Sequence, residues 1–420
     1  MPRTLTYRPA TPGASGQADA RATWSSDDGG QGTPGSVSVF YPTGGQSGEG
    51  SCWMGLSVDR RGNLYPVNSV GIYRIRRDGR VVNGVDDRDF FATGHDNQWA
   101  TLDEDKEMFF APAGDEVRAA PFEEGSTFSP ILSGLTGGIA ITVGRGPLAG
   151  SLFVTEPIAS RVSRVSFMPL GLSTFSSGEE FFSFSEAIAS APDGTLYVVN
   201  RDIARPLLIR IATDGTPSIF AEGTNGQFTG AVAVDEAGNV FWSRADGFAK
   251  YDASGRLVDT LPPPPDKPNF GNPMGSAFDR QGNLYVVDNF GCKRIYKYAR
   301  VGDMRRRIAL DIKPGHDTNK LDVRDHGKVK VAILTTDDFD ATQVDADTVR
   351  FGRRGTEARP KNAYRQDVNG DGRPDKVLCF EIHRTDLTCH SASAMITGRT
   401  RDGSAFQGTD SVTPTGCCRK

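Results

Sequence analysis

The sequence predicts an all-β protein in which a six-bladed β-propeller is followed by a small β-sandwich domain. Three observations predict this. With 49 Gly, 25 Pro and 37% hydrophobic residues in 420, the composition suits short strands joined by tight turns. One hairpin pattern recurs along the first 300 residues, and a different series of strands follows it. The predicted regions are a disordered tail at 1–34, the propeller at 35–302, a linker at 303–307, the sandwich at 308–412 and a C-terminal tail at 413–420.

The repeat is an apolar strand ending at Asp, a Gly-containing turn and a second strand. Met54–Tyr65 reads Met-Gly-Leu-Ser-Val-Asp-Arg-Arg-Gly-Asn-Leu-Tyr, and Met274–Tyr285 repeats it almost residue for residue. Gly230–Phe241 and Glu186–Tyr197 are further copies, and two weaker copies lie between residues 99 and 154. The glycine supplies the positive φ that a tight hairpin needs.

The copies are 40 to 49 residues apart, which is the size of a four-stranded propeller blade. Six copies predict six blades. The last blade has no clear fourth strand before the linker, whereas Ser36–Tyr41 is an alternating strand ahead of the first blade. We therefore expect Ser36–Tyr41 to complete the last blade and to cover the sheet edges.

On these repeats, residues 35–302 resemble the NHL family and, more distantly, the gluconolactonase-like propellers. The resemblance implies the fold, because such propellers host unrelated functions. A gluconolactonase-like metal site needs Glu, Asn and Asp ligands at the central channel. Only Glu186 precedes a first strand in a suitable place, with Asn200 and Asp288 farther away.

The second domain contains an Asp-rich loop, Asp367-Val-Asn-Gly-Asp-Gly-Arg-Pro-Asp375. Alternate residues of such a loop point inward, and hard cations prefer oxygen ligands, so the loop predicts a Ca²⁺ site. The twelfth position is Leu378, which supplies no carboxylate, so an acid from 337–340 or water would complete the shell. The alternative is a solvated turn. The predicted ligands are Asp367, Asn369, Asp371, the Arg373 carbonyl and Asp375.

Residues 308–412 also resemble a calcium-loop module at the ends of secreted or surface-anchored bacterial proteins. The matching segments are Leu310–Gly315, Val331–Asp340, Thr348–Gly352 and the Asp-rich loop. The resemblance implies an extracellular or cell-surface setting and a structural calcium, but no reaction.

Acidic and amide side chains predict a ligand-binding face on the propeller. Loops that join second to third strands lie on the same side as loops that lead into first strands, and five such loops carry an acid. These residues would hold a cation or hydrogen-bond a sugar, or they merely form turns. The candidates are Asp115, Glu156, Glu186, Asn200, Asp202, Asp246 and Asp288.

Six cysteines without a C-x-x-C spacing allow fifteen disulfide connectivities. The propeller geometry brings Cys52 near Cys292, which predicts a disulfide at the seam of the ring. Cys379 and Cys389 flank a hairpin and predict a second bridge.

Other patterns limit the function. The net charge of −4 and the dispersed charges predict no nucleic-acid partner. No apolar run of 18 residues occurs, so no membrane span is predicted, and the N-terminus lacks the apolar core of a signal peptide. Only His95 lies in the propeller, and no G-x-S-x-G occurs.

The predicted function is therefore an extracytoplasmic binding or scaffold protein for an unknown surface partner, glycan or small molecule. The alternative is a metal-dependent hydrolase or lyase that uses Glu186, Asn200 and Asp288.

Overall fold

A computed structural model gives the fold. It describes residues 3–4, 25–26, 34–41, 52–69, 71–79, 92–93, 99–224, 230–264, 266, 271–289, 294–316, 318–337 and 339–417. The described residues are almost entirely β-strand and turn, which confirms the all-β prediction; their one α-helix, α1, is Glu179–Phe182. Within these residues, no helix has the length and apolarity needed to cross a membrane. The chain divides into two compact units, with the change near Asp303.

The strands of the first unit are short. In chain order they are β1 (Arg3–Thr4), β2 (Ser25–Ser26), β3 (Val37–Tyr41), β4 (Gly55–Val58), β5 (Leu64–Val67), β6 (Gly71–Ile72), β7 (Ala92–Thr93), β8 (Thr101–Asp103), β9 (Met108–Ala113), β10 (Glu116–Pro121), β11 (Ser126–Thr127), β12 (Ser129–Ser133), β13 (Ile141–Val143), β14 (Leu152–Glu156), β15 (Arg161–Phe167), β16 (Leu170–Ser177), β17 (Ser185–Ser190), β18 (Leu196–Asn200), β19 (Leu207–Ile211), β20 (Pro217–Glu222), β21 (Val232–Val234), β22 (Val240–Arg244), β23 (Gly247–Tyr251), β24 (Leu257–Leu261), β25 (Pro273–Phe278), β26 (Leu284–Asp288) and β27 (Arg294–Tyr298).

Apart from β1 and β2, which pair with each other, these strands form the sheets of a propeller, which we call blades 1 to 6 in chain order. Blade 1 is β4–β7 with β11 at its edge, blade 2 is β8, β9, β10 and β12, blade 3 is β13–β16, blade 4 is β17–β20, blade 5 is β21–β24, and blade 6 is β25–β27 with β3. The antiparallel pairing of β3 with β27 confirms that the strand ahead of blade 1 completes the last sheet. The predicted strand at 81–82 lies outside the described residues.

Neighbouring blades pack against each other. The inner strand of each blade contacts the inner strand of the next, and β25 of blade 6 contacts β4 of blade 1. Apolar clusters fill the space between neighbouring blades, including blades 6 and 1, where Tyr285 and Val287 pack with Trp53 and Leu64. The hydrophobic core of this unit is therefore a series of clusters between sheets.

The Asp-x-x-Gly-Asn sequence forms the turn between the first two strands of blades 1, 5 and 6. In blade 6 the buried Asp279 Oδ1 accepts hydrogen bonds from the amides of Gln281 and Asn283, both at 2.9 Å. Its Oδ2 accepts from Asn283 Nδ2 at 2.7 Å and from Tyr285 Oη at 3.2 Å. Gly282 takes φ +80° in this turn. The Asp therefore satisfies the polar groups of its own turn.

The same arrangement recurs in other blades. In blade 1, Asp59 accepts from two loop amides, Asn63 Nδ2 and Tyr65 Oη. In blade 5, Asp235 is fully buried and accepts from both the amide and the side chain of Asn239, at 2.8 Å each. These aspartates are structural, which is why the repeat predicts the fold so well.

The second unit contains two four-stranded sheets and a two-stranded one. Its strands are β28 (Arg306–Arg307), β29 (Leu310–Ile312), β30 (Lys320–Asp322), β31 (Lys328–Ile333), β32 (Val344–Gly352), β33 (Asn362–Gln366), β34 (Asp375–Glu381), β35 (Ser393–Thr400), β36 (Ala405–Ser411) and β37 (Thr413–Thr415). The sheet orders are β28-β36-β35-β32, β29-β31-β34-β33 and β30-β37. One apolar cluster includes Phe351 and Phe406 from the first of these sheets and Val331 and Phe380 from the second.

The edges of this unit differ from the predicted boundaries. Arg306–Arg307, predicted as linker, pair with β36. Thr413–Thr415, predicted as tail, pair in parallel with Lys320–Asp322. Backbone pairing with distant strands holds both segments, and local sequence does not signal such pairing. Of the predicted tail at 1–34, the described residues are residue 34 and the paired β1 and β2; the rest lies outside the described residues.

The disulfide of the second unit joins a different pair of cysteines from the predicted one. Cys389 is bonded to Cys417 with 5.8 Å between their Cα atoms, and Cys379 is a free thiol, so the predicted Cys379–Cys389 bridge is wrong. Cys379 lies within β34, whereas the pairing of β35 with β36 brings Cys417 within reach of Cys389. Cys52 is disulfide-bonded, and its predicted partner Cys292 lies outside the described residues.

Candidate functional site

Glu186 lies at a β-bulge in the first strand of blade 4. Ser185 pairs with Asn200 and Ala187 with Val199, which leaves Glu186 without a partner in the register. A bulge changes the direction of the side chain it carries and is common next to functional sites. A second bulge follows Pro273 in the first strand of blade 6. Two irregular first strands therefore shape the same end of the propeller.

A hydrogen-bonded network joins these two blades. Arg201, which directly follows β18, donates from Nη1 to both carboxylate oxygens of Glu186 at 2.8 and 2.7 Å. Its Nη2 donates to Asn272 Oδ1 at 2.9 Å, and Asp288 Oδ1 accepts from the amide of Asn272 at 3.0 Å. We call Glu186, Arg201, Asn272 and Asp288 the bridge network. It brings the predicted residues Glu186 and Asp288 together through two residues that the prediction did not include.

The bridge network lies beside the inner strands that enclose the channel. Arg201 Nη1 is 3.9 Å from the sulfur of the buried Met274, and Met274 and Ala187 line a cavity of about 180 Å³. Much of the remaining lining is apolar or carries a hydroxyl, as in Leu56, Ile188 and Ser190. None of the lining residues in the described part of the chain carries a charge. Among the described residues, the charged groups of this region therefore lie at the network.

Glu156 is fully buried, away from solvent. Its carboxylate accepts from Arg161 Nε at 2.9 Å and Nη2 at 3.0 Å, from the Ser163 hydroxyl and from the amide of Thr136. Burial by itself would raise the pKa of Glu156, but these hydrogen bonds outweigh it and hold the pKa below the ordinary glutamate value. Glu156, which the sequence placed on the binding face, therefore forms an internal ion pair with Arg161.

The other predicted face residues have local partners. Asn200 is buried, and its Oδ1 accepts from the Asp202 amide at 3.3 Å. Asp202 accepts from the amide of Ala204 at 2.9 Å, which is a turn-forming contact. Asp246 is exposed, with one carboxylate oxygen 3.4 Å from Arg244 Nε, and Asp115 is exposed in the turn between β9 and β10.

Exposed apolar side chains occur on the same side of blades 3 and 4, and the sequence prediction did not include them. Ile158, in the turn after β14, is 77% exposed, and its side chain lies against Gly137 ahead of the first strand of blade 3. Phe184, directly before β17, is 56% exposed, and Ile203, after β18, is 52% exposed. We call these three residues the apolar rim. The sequence signal that could have predicted the apolar rim is the position of these apolar residues in loops rather than in strands.

The predicted ligand side chains of the Asp-rich loop, which are three aspartates and one asparagine, all carry oxygen atoms that can bind a cation. Asp367 accepts from the amides of Gly370 at 2.7 Å and Gly372 at 2.9 Å, and Gly372 takes φ +83°. Asp371 accepts from the amide of Arg373 at 2.9 Å; this bond is the main cause of a lowered Asp371 pKa. A carboxylate oxygen that accepts one amide keeps a second lone pair. The donor set thus fits a hard cation chemically.

Two side chains of the loop, those of Asp375 and Arg373, already bond to other groups of the protein, which affects how the loop would bind a cation. The predicted ligand Asp375 is fully buried and accepts from the amides of Thr335 at 2.8 Å and Val368 at 3.0 Å. The Arg373 guanidinium donates to Asp337 at 2.7 Å and lies 3.5 Å from Asp371 Oδ2. In the described part of the chain, no three side chains of His, Cys, Asp or Glu are grouped closely enough to hold a metal ion. Carbonyl, amide and water oxygens would have to contribute to any cation site here.

No protein-family model and no curated protein sequence matches this chain. Solved structures with a similar fold include a gluconolactonase from Xanthomonas campestris, at 15% identity over 62% of this chain and 88% of that chain, with a TM-score of 0.47. Virginiamycin B lyase from Staphylococcus aureus matches at 13% identity over 60% and 96%, with a TM-score of 0.43. Regucalcin, a calcium-binding protein from Agrobacterium tumefaciens, matches at 14% identity over 59% and 89%, with a TM-score of 0.44. At such identities and TM-scores, none of them assigns an activity to this chain.

Proposed function

We propose that this protein is an extracytoplasmic recognition protein that binds a partner on the propeller face formed by the bridge network and the apolar rim. The observation that carries this proposal is the pairing of Glu186 with Arg201. Both oxygens of Glu186 accept from one guanidinium nitrogen. A cation bound by Glu186 would have to displace Arg201 and leave its charge partly buried.

The surroundings of the pair support recognition over metal-dependent hydrolysis. Asp288 accepts a hydrogen bond from the backbone amide of Asn272, and the side-chain oxygen of Asn272 accepts one from Arg201. The carboxylates that a metal-dependent hydrolase or lyase would use are thus bonded to protein donors. The network also adjoins the apolar rim, because the Arg201 amide donates to the Phe184 carbonyl at 2.9 Å. A polar group beside exposed apolar side chains is typical of a binding surface.

The apolar rim favours a protein or peptide as the partner. Ile158 and Ile203 are branched aliphatic side chains, which fit apolar side chains better than the flat face of a sugar. Phe184 adds an aromatic side chain of the kind enriched in protein interfaces. Arg201, only 20% exposed, gives this surface a polar group that Glu186 and Asn272 hold in place.

The disulfides support an extracytoplasmic setting. Cys389 is bonded to Cys417, and Cys52 is also disulfide-bonded. Such bonds form and persist in oxidising compartments and are rare in the cytosol. We further propose that Ca²⁺ binds the loop at 367–375, where Asp367, Asn369, Asp371 and the Arg373 carbonyl would hold it and tie the loop together.

A selection of peptides from a random library displayed on phage tests the recognition proposal. The full chain should enrich peptides that no longer bind after combined substitution of the apolar rim, Ile158→Ser, Phe184→Ser and Ile203→Ser. The matched control is Ile219→Ser, Leu257→Ser and Val258→Ser on β20 and β24, which removes three apolar side chains that are 43, 48 and 41% exposed. The control should keep peptide binding.

Two outcomes would contradict the proposal. One is enrichment of no peptide, or of peptides that bind the rim variant as well as the unchanged chain. The other is turnover in a panel of lactones and glycosides that disappears in Glu186→Ala, since that result would make Glu186 part of a catalytic site.

A further inference from the structure

Two exposed histidines lie side by side in the second unit. The ring centroids of His326 and His383 are 5.1 Å apart, and the ring planes meet at 42°. His326 lies in the turn before β31, and His383 lies in the 3₁₀ turn Ile382–Arg384 that follows β34. Both side chains are exposed to solvent.

The backbone fixes the two histidines relative to each other. The Ile382 amide donates to the Gly327 carbonyl at 3.1 Å, so the residues next to the two histidines are hydrogen-bonded. On one side, the buried Thr385 donates from its amide and hydroxyl to the Ile382 carbonyl, at 3.0 and 2.7 Å. On the other, Asp325 accepts from the Gly327 amide at 2.8 Å. The pair is therefore held by two hydrogen-bonded turns at the end of one sheet.

The separation of the rings suits a shared metal ion. An imidazole nitrogen lies about 2.0–2.1 Å from Zn²⁺, which places the ring centre about 3.2 Å from the ion. For ligand angles between square and tetrahedral values, two ring centres around one ion are then about 4.5–5.2 Å apart. The observed separation of 5.1 Å falls in that range. The tilt of 42° also departs from the parallel arrangement of stacked rings.

The local charge is compatible with a cation. Arg384, next to His383, is paired with Glu381, with 2.8 Å between its Nε and Oε2. Lys361 lies 3.4 Å from the same carboxylate. Asp325 is directly beside His326 in the sequence. Carboxylates therefore lie close to the positive side chains near the pair.

We propose that His326 and His383 bind a divalent transition metal ion, of the class Zn²⁺, Ni²⁺ and Cu²⁺, with water in the remaining positions. Imidazole prefers these ions, whereas Ca²⁺ and Mg²⁺ take oxygen ligands. This site is separate from the proposed calcium loop, and it does not depend on the function proposed for the propeller.

Calorimetric titration of the untagged full chain with NiCl₂, in excess CaCl₂, tests the proposal. We expect one Ni²⁺ per chain, with binding weakened about tenfold or more in His326→Ala and in His383→Ala. Loss of an outer-shell partner alone costs about 10–100-fold in metal affinity, and loss of a ligand should cost at least as much. The matched controls His316→Ala and His390→Ala remove other exposed histidines of the same unit and should not change binding.

Three results would overturn the proposal. They are no Ni²⁺ binding at millimolar concentration, equal binding by the unchanged chain and the double variant His326→Ala and His383→Ala, and binding that is lost in Cys379→Ser instead. The substituted side chains are exposed, and an unchanged circular dichroism spectrum would show that each variant is folded.

Discussion

The blade turns and the loop at 367–375 use the same residue types, aspartate, asparagine and glycine, in different surroundings. In the blade turns, Asp59, Asp235 and Asp279 are 6, 0 and 2% exposed. Their oxygens accept from amides and side chains of their own turn. In the loop, Asp367 and Asp371 also accept from amides but remain exposed to solvent.

This difference teaches that burial and the number of donors decide what an Asp-Gly turn does. A buried carboxylate surrounded by donors is part of the hydrogen bonding of the fold, and its removal leaves donors unpaired. Removal of an exposed carboxylate with spare lone pairs should cost the protein little stability. Such a carboxylate also remains available to bind an ion. The two turns should therefore respond differently to the same substitution.

The largest effect is expected for Asp279→Ala in blade 6. The substitution leaves the amides of Gln281 and Asn283 and the Tyr285 hydroxyl without their acceptor, so the free energy of unfolding should fall by about 3 kcal/mol or more. Urea unfolding followed by tryptophan fluorescence measures it. All four tryptophans precede residue 304, and three of them, Trp53, Trp99 and Trp242, pack in clusters between the blades, so the signal reports mainly on the propeller.

The control for this substitution is Asp252→Ala, in an exposed turn of blade 5. Asp252 also accepts from backbone amides, at 3.1 Å from Ser254 and Arg256. The free energy of unfolding should fall clearly less in Asp252→Ala than in Asp279→Ala, because water replaces the lost acceptor at the exposed turn. Equal losses for Asp252→Ala and Asp279→Ala would break the comparison, since burial would then not matter.

An intermediate effect is expected for Glu156→Gln, which removes a buried charge that the sequence prediction had assigned to the binding face. The variant should lose about 2 kcal/mol at pH 7, because Arg161 and Ser163 lose a charged acceptor. The half-exposed pair of Glu116 with Arg118 is the control, and Glu116→Gln should cost less than about 1 kcal/mol.

The pH dependence of this difference has a defined sign. The pKa of Glu156 is lower in the folded state than its ordinary value, so its contribution is present above about pH 4.3 and is lost as the pH falls through the folded-state pKa. The stability difference between the unchanged chain and Glu156→Gln should therefore shrink on acidification. A constant or growing difference in urea unfolding between pH 7 and pH 3 would contradict the assignment.

The smallest effect is expected for Tyr285→Phe. The hydroxyl donates to Asp279 at 3.2 Å, while the ring remains packed in the core, so the loss should be about 1 kcal/mol. Tyr65→Phe, in the equivalent turn of blade 1, should cost the same amount. A large difference between the two would show that the blade turns are not equivalent.

The sequence predicted the regular parts of the fold because the physics there is local. The Asp-x-x-Gly-Asn turn contains all its own hydrogen-bond partners between Asp279 and Tyr285, so its pattern alone indicates the hairpin. The alternation in Ser36–Tyr41 similarly predicted the strand that joins blade 6. Burial on one face is enough to specify such strands.

The parts that the sequence did not predict depend on distant contacts. Cys389 pairs with Cys417 because the antiparallel pairing of β35 with β36 brings the segments that carry them together, and cysteine spacing does not determine connectivity. The prediction did not include Arg201 because it rested on acidic and amide side chains, although Arg201 follows Asn200 directly. Its partners Glu186 and Asn272 are 15 and 71 residues away. The pairing of Glu156 with Arg161 across a short turn was a local signal that could have been used.

Calcium titration of the full chain by calorimetry tests the central difference between buried and exposed carboxylates most directly. We expect one Ca²⁺ site, which is lost in Asp371→Ala and kept in Glu186→Ala and in Asp402→Ala, a substitution in another exposed Asp-Gly turn of the second unit. Loss of Ca²⁺ binding in Glu186→Ala, with binding kept in Asp371→Ala, would contradict the account, because the propeller face and not the exposed loop would then hold the ion.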